Sequence, residues 1–200
     1  MITPTKPVNV FPQDYTPGRS DEQTALFYNI MLSLLPGNVL AEITTYRLMV
    51  DLGCGYGAGT AMFARSFPAL WCMGMDVAPD AIVHSTKLYQ KAFPNVQFLQ
   101  RRIEDLGNNV DLIVCSNMLE HYDNPVVEFE KLTHVATKMI IVMVPHAEEP
   151  LTRYHRCTFT KDGPLPNTMN GFNLKHTLIH DCRGTGYWHG DQMVLVYTAA

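Results

Sequence analysis

The stretch VDLGCGYGAGT, residues 50–60, decides how the rest of the chain is read. Ahead of it, RLMVDL (residues 47–52) is a short apolar run of the kind found in strands buried on both faces. Behind it, residues 58–67 read as a helix halted before Pro68. Between them, Gly53, Gly55 and Gly57 let the backbone turn sharply and let a ligand approach without meeting a Cβ atom. A loop at the start of a helix, with the positive end of the dipole behind it, is a ligand-binding loop. A nucleoside triphosphate would call for G-x-x-x-x-G-K-[ST], and no Lys-Ser/Thr pair stands here. A dinucleotide would call for G-x-G-x-x-G/A, which Gly53, Gly55 and Ala58 meet loosely. Asp51 weighs against a pyrophosphate, because a carboxylate two residues ahead of the first glycine repels it and favours a cationic ligand.

On both sides of the loop, strand and helix patterns alternate. Residues 1–19, with Pro4, Pro7, Pro12 and Pro17, read as an extended arm. Ser20 then caps an expected helix with acids Asp21 and Glu22 in its first turn and an apolar face of Ala25, Leu26, Ile30 and Leu34. Pro36-Gly37 ends that helix, and residues 20–46 form an N-terminal helical segment. After the glycine loop come a strand (ALWCMGMD), a helix over 79–91 with Pro79 in its first turn, and a strand (NVQFLQ). The strand NVDLIVCS, a helix from Asn124-Pro125 to about Ala136 and the strand KMIIVMV complete a core over 47–144. Such alternation signals a parallel sheet wound by right-handed crossovers. Residues 145–171, rich in proline and without a helical period, read as a lid on the acceptor side. FNLKHTLIHDC and DQMVLVYT, joined by RGTGYWHG, read as a closing hairpin over 172–200.

Composition agrees with one globular domain of 200 residues, 46% hydrophobic and 17% charged. A net charge of −4 gives no electrostatic footprint for nucleic acid. No apolar run reaches the roughly 18 residues of a membrane span, and the N-terminus carries prolines and polar residues where a signal peptide carries an apolar core. The five cysteines form no C-x-x-C pair and read as reduced thiols in a cytoplasmic protein.

The motifs together resemble those of the class I S-adenosylmethionine-dependent methyltransferases, of the type 11/12-like branch. VDLGCGYGAG is similar to their first motif, an acidic residue followed by G-x-G-x-G. The donor carries a sulfonium, an ammonium and no phosphate, so an acidic loop is physically sensible. GMDV places Asp76 where the family has an acidic residue on both ribose hydroxyls. RRIEDL (101–106) looks like the adenine-binding stretch, and VDLIVCSNMLEHYDNP (110–125) resembles the fourth-strand segment with its Leu-Glu-His turn. The resemblance implies a three-layer Rossmann-like α/β sandwich. Its mostly parallel seven-stranded sheet would run 3-2-1-4-5-7-6, with the hairpin antiparallel. It implies binding of S-adenosylmethionine, and of S-adenosylhomocysteine as product, by Asp51, Gly53, Cys54, Gly55, Gly57, Asp76, Val77, Ile103, Glu104 and Asn117.

The activity it implies is methyl transfer to oxygen or nitrogen of a small or medium-sized, free or conjugated acceptor. A nicotinamide-dependent oxidoreductase, or a nucleoside-binding scaffold without catalysis, stays open as an alternative. An acceptor with a proton to lose benefits from a base near neutral pKa. His121, at the mouth of the sheet, is the first candidate, with His155 and His146 behind it. Phe11, Tyr15, Tyr154 and Phe159 are candidate acceptor contacts, and Arg19, Arg153 and Arg156 candidate anion contacts. His176, His180 and His189 lack partners at metal-ligand spacing, so no metal is expected.

Overall fold

The computed structural model describes residues 17–107 and 109–200. Most of the expected arm, with Phe11 and Tyr15, lies outside these residues. Helix α1 runs Pro17–Leu34, a turn earlier than its sequence suggests. Proline suits a first helical turn, because its missing N–H is one that the helix would not use. Ser20 is therefore a buried interior residue rather than the cap. Asp21, instead of facing the dipole, sits 3.1 Å from His84 Nε2. After Pro36 the chain re-enters a short helix, α2 (Gly37–Ile43), where only a stop was expected.

The core follows the expected alternation: β1 Leu48–Leu52, α3 Ala58–Ser66, β2 Trp71–Asp76, α4 Pro79–Ser85, β3 Val96–Gln100, β4 Val110–Ser116, α5 Pro125–Val135 and β5 Ala136–His146. A wider π turn over Thr86–Gln90 prolongs α4. Asn124 caps α5 by accepting from Val127 N, with Pro125 in the first turn. The tail supplies β6 (Thr168–Met169), β7 (Phe172–Asp181) and β8 (Asp191–Ala199). The sheet order is β3-β2-β1-β4-β5-β8-β7-β6, with β1 to β5 parallel and β8 antiparallel to β5. This is the expected order with one strand more. The added β6 (Thr168–Met169) is a two-residue edge strand paired with β7, too short to leave a periodic signal in the sequence.

The two faces of the sheet carry separate cores. On one, α1, α2 and α3 cover Met49, Leu112, Ile141 and Val196; on the other, α5 covers Val50, Ile113, Val142 and Tyr197. The helices of the first face touch closely at Gly59, where a Cβ would stand 2.4 Å from the Tyr28 ring. Residues 145–171 hold few regular hydrogen bonds, as their prolines suggest, yet Phe159 and Leu165 are buried against the second core. All five cysteines are free thiols, four of them buried. No single helix among the described residues is long and apolar enough to cross a membrane.

Candidate functional site

In an open α/β sheet the carboxyl ends of the strands, where the strand order reverses, leave a crevice that takes the ligand. Here a cavity of about 290 Å³ opens at the ends of β1, β2 and β4, near the lower end of the roughly 300–1,000 Å³ of small-molecule sites. Gly53, Cys54, Gly55, Asp76, Val77, Ile103, Glu104, Asn117 and His121 line it, so nine of the expected site residues share this one cavity.

The loop after β1 is shaped by positive backbone angles, φ +73° at Gly53, +54° at Gly55 and +95° at Gly57. Its amides are committed within the protein. Gly53 N and Cys54 N both donate to Met75 O, at 2.8 and 3.0 Å. Gly55 N donates to Asp76 Oδ2 at 2.9 Å, while Ala78 N donates to Asp76 Oδ1 at 2.9 Å. The Asp76 carboxylate is thereby held in one orientation at the wall. Burial raises its pKa, against the backbone donors that lower it.

Asp51 and Gly57 are not on the wall. Asp51 is fully buried, accepting from Tyr28 Oη on one oxygen and from Thr60 Oγ1 at 2.6 Å on the other. Burial pushes it up to about 6, offset in part by these two donors and helped by the charge of Asp76. An acidic residue in β1 thus ties α1 and α3 to the sheet. Gly57 serves packing, since a Cβ there would stand 2.6 Å from Ser85 Cβ and 2.8 Å from the Phe98 ring.

Glu104 lines the cavity, but its carboxylate accepts from Lys131 Nζ at 2.8 Å, and Lys131 also bonds Glu128 at 2.9 Å. Asn117 takes the left-handed conformation, φ +50°, directly after β4. Its N–H donates to Met143 O at 2.7 Å and its Oδ1 accepts from Gln192 Nε2 at 3.0 Å.

Of the three candidate histidines only His121 reaches the wall. Its Nδ1 lies 3.1 Å from Tyr154 O. Burial lowers its pKa, favouring the neutral ring. His155 stands behind it, ring centroids 5.0 Å apart, with Nδ1 2.5 Å from Glu148 Oε2. His146 points elsewhere, 3.8 Å from Asp191 Oδ2. The neighbouring Glu120 is 1% exposed, and neither carboxylate oxygen has a hydrogen-bond partner among the described residues. Burial, then the charge of Glu148, pushes Glu120 up to about 8.

The other acceptor candidates are placed away from the wall. Phe159 is a core residue, and the Arg153 guanidinium lies over the Tyr154 ring at 5.4 Å. Arg19 reaches Gly186 O at 3.4 Å, joining α1 to the closing hairpin. The wall includes α1 residues that sequence reasoning passed over: Ser20, Gln23, Thr24, Phe27 and Tyr28. Their mixture of polar and aromatic side chains on one helical face was the available signal, since a face serving only the core has no use for Ser20, Gln23 and Thr24.

Residues 49–138 match the family model described as a methyltransferase domain. Over 75 residues the chain is 33% identical to a trans-aconitate 2-methyltransferase of Deinococcus radiodurans, covering 38% of this chain and 28% of that protein. The match therefore spans under a third of the length of that curated relative. Its fold is similar to that of magnesium protoporphyrin IX methyltransferase from Synechocystis PCC 6803 with bound S-adenosylhomocysteine (TM-score 0.69, 16% identity, 94% of this chain and 90% of that one). It is also similar to a 16S rRNA (adenine(1408)-N(1))-methyltransferase from Catenulisporales acidiphilia (TM-score 0.58, 16% identity, 83% of this chain and 92% of that one).

Proposed function

We propose that this chain, whose residues 49–138 match a methyltransferase-domain family model, is a class I S-adenosylmethionine-dependent methyltransferase that moves the sulfonium methyl to oxygen or nitrogen of a small or medium-sized acceptor. The observation that carries this reading is the pinned Asp76 carboxylate beside the Gly53–Gly55 loop, lining the same cavity as His121. Asp76 is the residue to hold the donor's ribose hydroxyls, and the backbone at Ile103 to meet its adenine. The donor brings an activated methyl on sulfur. The protein's part is to align the acceptor with that methyl and to keep water out.

The same loop argues against a pyrophosphate cofactor. A phosphate cradle needs backbone N–H groups turned outward, whereas those of Gly53, Cys54 and Gly55 already have acceptors in the protein. The oxidoreductase and the binding-scaffold alternatives gain no support from the matched family. On the acceptor side, α1 supplies Gln23, Thr24 and Phe27 to the wall. The segment 145–171 backs that side, with Arg156 N donating to Glu120 O at 2.7 Å.

Calorimetry with S-adenosylmethionine, S-adenosylhomocysteine and NAD tests the donor. Micromolar binding of the first two, roughly −8 kcal/mol, and none of NAD is expected. Transfer of labelled methyl across sugar, phenolic, carboxylate and amine acceptors tests the rest, and tight binding of NAD alone would sink the reading.

A further inference from the structure

We infer that Glu120, His121 and His155 form a binding site for one divalent transition-metal ion beside the cavity that His121 lines. Each offers one ligand atom, and the three atoms lie within 4.8 Å of one another. They are the only three or more His, Cys, Asp or Glu ligands among the described residues gathered this closely. The chain brings them together from two places. Glu120 and His121 lie in the 3-10 turn after β4, Leu119–His121. His155 comes from the 145–171 segment, where Arg156 N donates to Glu120 O and fastens the two stretches at 2.7 Å.

Independent of that spacing, Glu120 is a buried carboxylate with no hydrogen-bond partner for either oxygen among the described residues. Buried carboxylates are normally paired with a cation or bonded by donors, because desolvation is otherwise uncompensated. No Lys or Arg of the described residues forms an ion pair with Glu120. What faces it are two imidazoles, which are ligands for the same class of ion as the carboxylate.

The histidines are set as metal-bound histidines usually are, with the other ring nitrogen on a carbonyl or carboxylate. His121 Nδ1 lies 3.1 Å from Tyr154 O, and His155 Nδ1 lies 2.5 Å from Glu148 Oε2. That leaves Nε2 of His155 for the ion, while at His121 the ion would replace the ring's further contact with the Asn117 backbone. Glu148 is itself held, accepting from Thr152 N at 2.9 Å, so it orients His155 without serving as a ligand. A donor set of two imidazoles and one carboxylate suits Zn²⁺, Co²⁺, Mn²⁺ or Fe²⁺ and not the all-oxygen preference of Ca²⁺ or Mg²⁺. Three protein ligands leave a position for water or a substrate oxygen. His121, the one ligand on the cavity wall, marks where that position opens. As a ligand, His121 would act on an acceptor hydroxyl through the ion instead of taking its proton directly.

The test needs no methyl donor or acceptor, so its failure is separate from failure of the methyl-transfer reading. The untagged, metal-stripped chain is titrated with Co²⁺, following visible ligand-field absorption and calorimetric heat. One saturating equivalent, displaced by Zn²⁺, is expected. Glu120→Gln and His155→Asn should each weaken binding at least 100-fold. Glu148→Gln should weaken it about 10–100-fold through the orientation of His155. His146→Asn should leave it unchanged. Circular dichroism establishes that each variant is folded; if Glu120→Gln is not, His155→Asn and Glu148→Gln decide. Absence of a saturable Co²⁺ signal, or a signal that survives the folded ligand variants, overturns the assignment.

Discussion

The phenol of Tyr28 in α1 donates to the carboxylate of Asp51 in β1, and this one bond joins the first described helix to the strand that precedes the glycine loop. Tyr28→Phe leaves a fully buried carboxylate oxygen without that donor. We expect a loss of about 1–3 kcal/mol of stability, read from urea unfolding at pH 7. An unchanged midpoint would mean that Thr60 alone satisfies Asp51.

Asp51 also gives stability a pH dependence. Its folded pKa is raised from an ordinary 3.8 to about 6, so the native state holds the proton more tightly than the unfolded chain. The contribution is fully present below the unfolded value and is lost as pH rises through about 6. Its slope is at most about 1.4 kcal/mol per pH unit. Asp76, also raised by burial, acts in the same sense. Urea midpoints measured at several pH values should therefore show a shallower decline in Asp51→Asn than in the unsubstituted chain. Parallel profiles would show that Asp51 titrates normally.

Two glycines of the loop should respond differently to alanine. At Gly55 a Cβ meets nothing within 4 Å, so only the left-handed backbone (φ +54°) is penalised, at about 1–2 kcal/mol. At Gly57 the same kind of penalty adds to overlap with Ser85 and Phe98, for a total nearer 3 kcal/mol. Thermal unfolding should rank Gly57→Ala well below Gly55→Ala. Binding of S-adenosylhomocysteine should suffer in Gly55→Ala, whose new methyl group faces open space beside the cavity.

At the proposed donor site, Asp76→Ala removes the pinned carboxylate together with its grip on Gly55 N and Ala78 N. Loss of about 1.5–3 kcal/mol per charge-assisted bond to a ribose hydroxyl should weaken S-adenosylmethionine binding by 10-fold or more. Isothermal titration checks this, and wild-type affinity in the variant would assign the ribose to another residue.

Among the histidines, position on the wall separates His121 from His146. With an acceptor in hand, His121→Asn should lower turnover by about 10²–10⁴-fold if it moves the acceptor's proton. His146→Asn should stay within about twofold, because His146 faces Asp191 outside the cavity. Steady-state rates at saturating donor distinguish them, and equal losses would place His146 in the chemistry after all.

Much of this architecture was legible because its signals are local. Apolar runs such as NVDLIVCS and KMIIVMV, the glycine loop and the Asn124-Pro125 cap specify strands, turns and a helix start within a few residues. The rule that ligands gather at strand carboxyl ends then carried Asp76 and His121 to one cavity. Asp51 shows where local reading ended. An acid beside a glycine loop looks like a ligand contact, but its partner depends on which helix packs behind β1, and that is Tyr28, 23 residues earlier. Glu120, His121, His155 and Glu148 show the same limit more strongly. Glu120 and His121 are neighbours in the Leu-Glu-His turn, but no spacing in the chain joins them to Glu148 and His155. They meet because the segment after β5 folds back to bond Arg156 N to Glu120 O, which encloses the carboxylate and removes it from water. Burial and long-range contact are properties of the packed chain, so only the tertiary structure decided them.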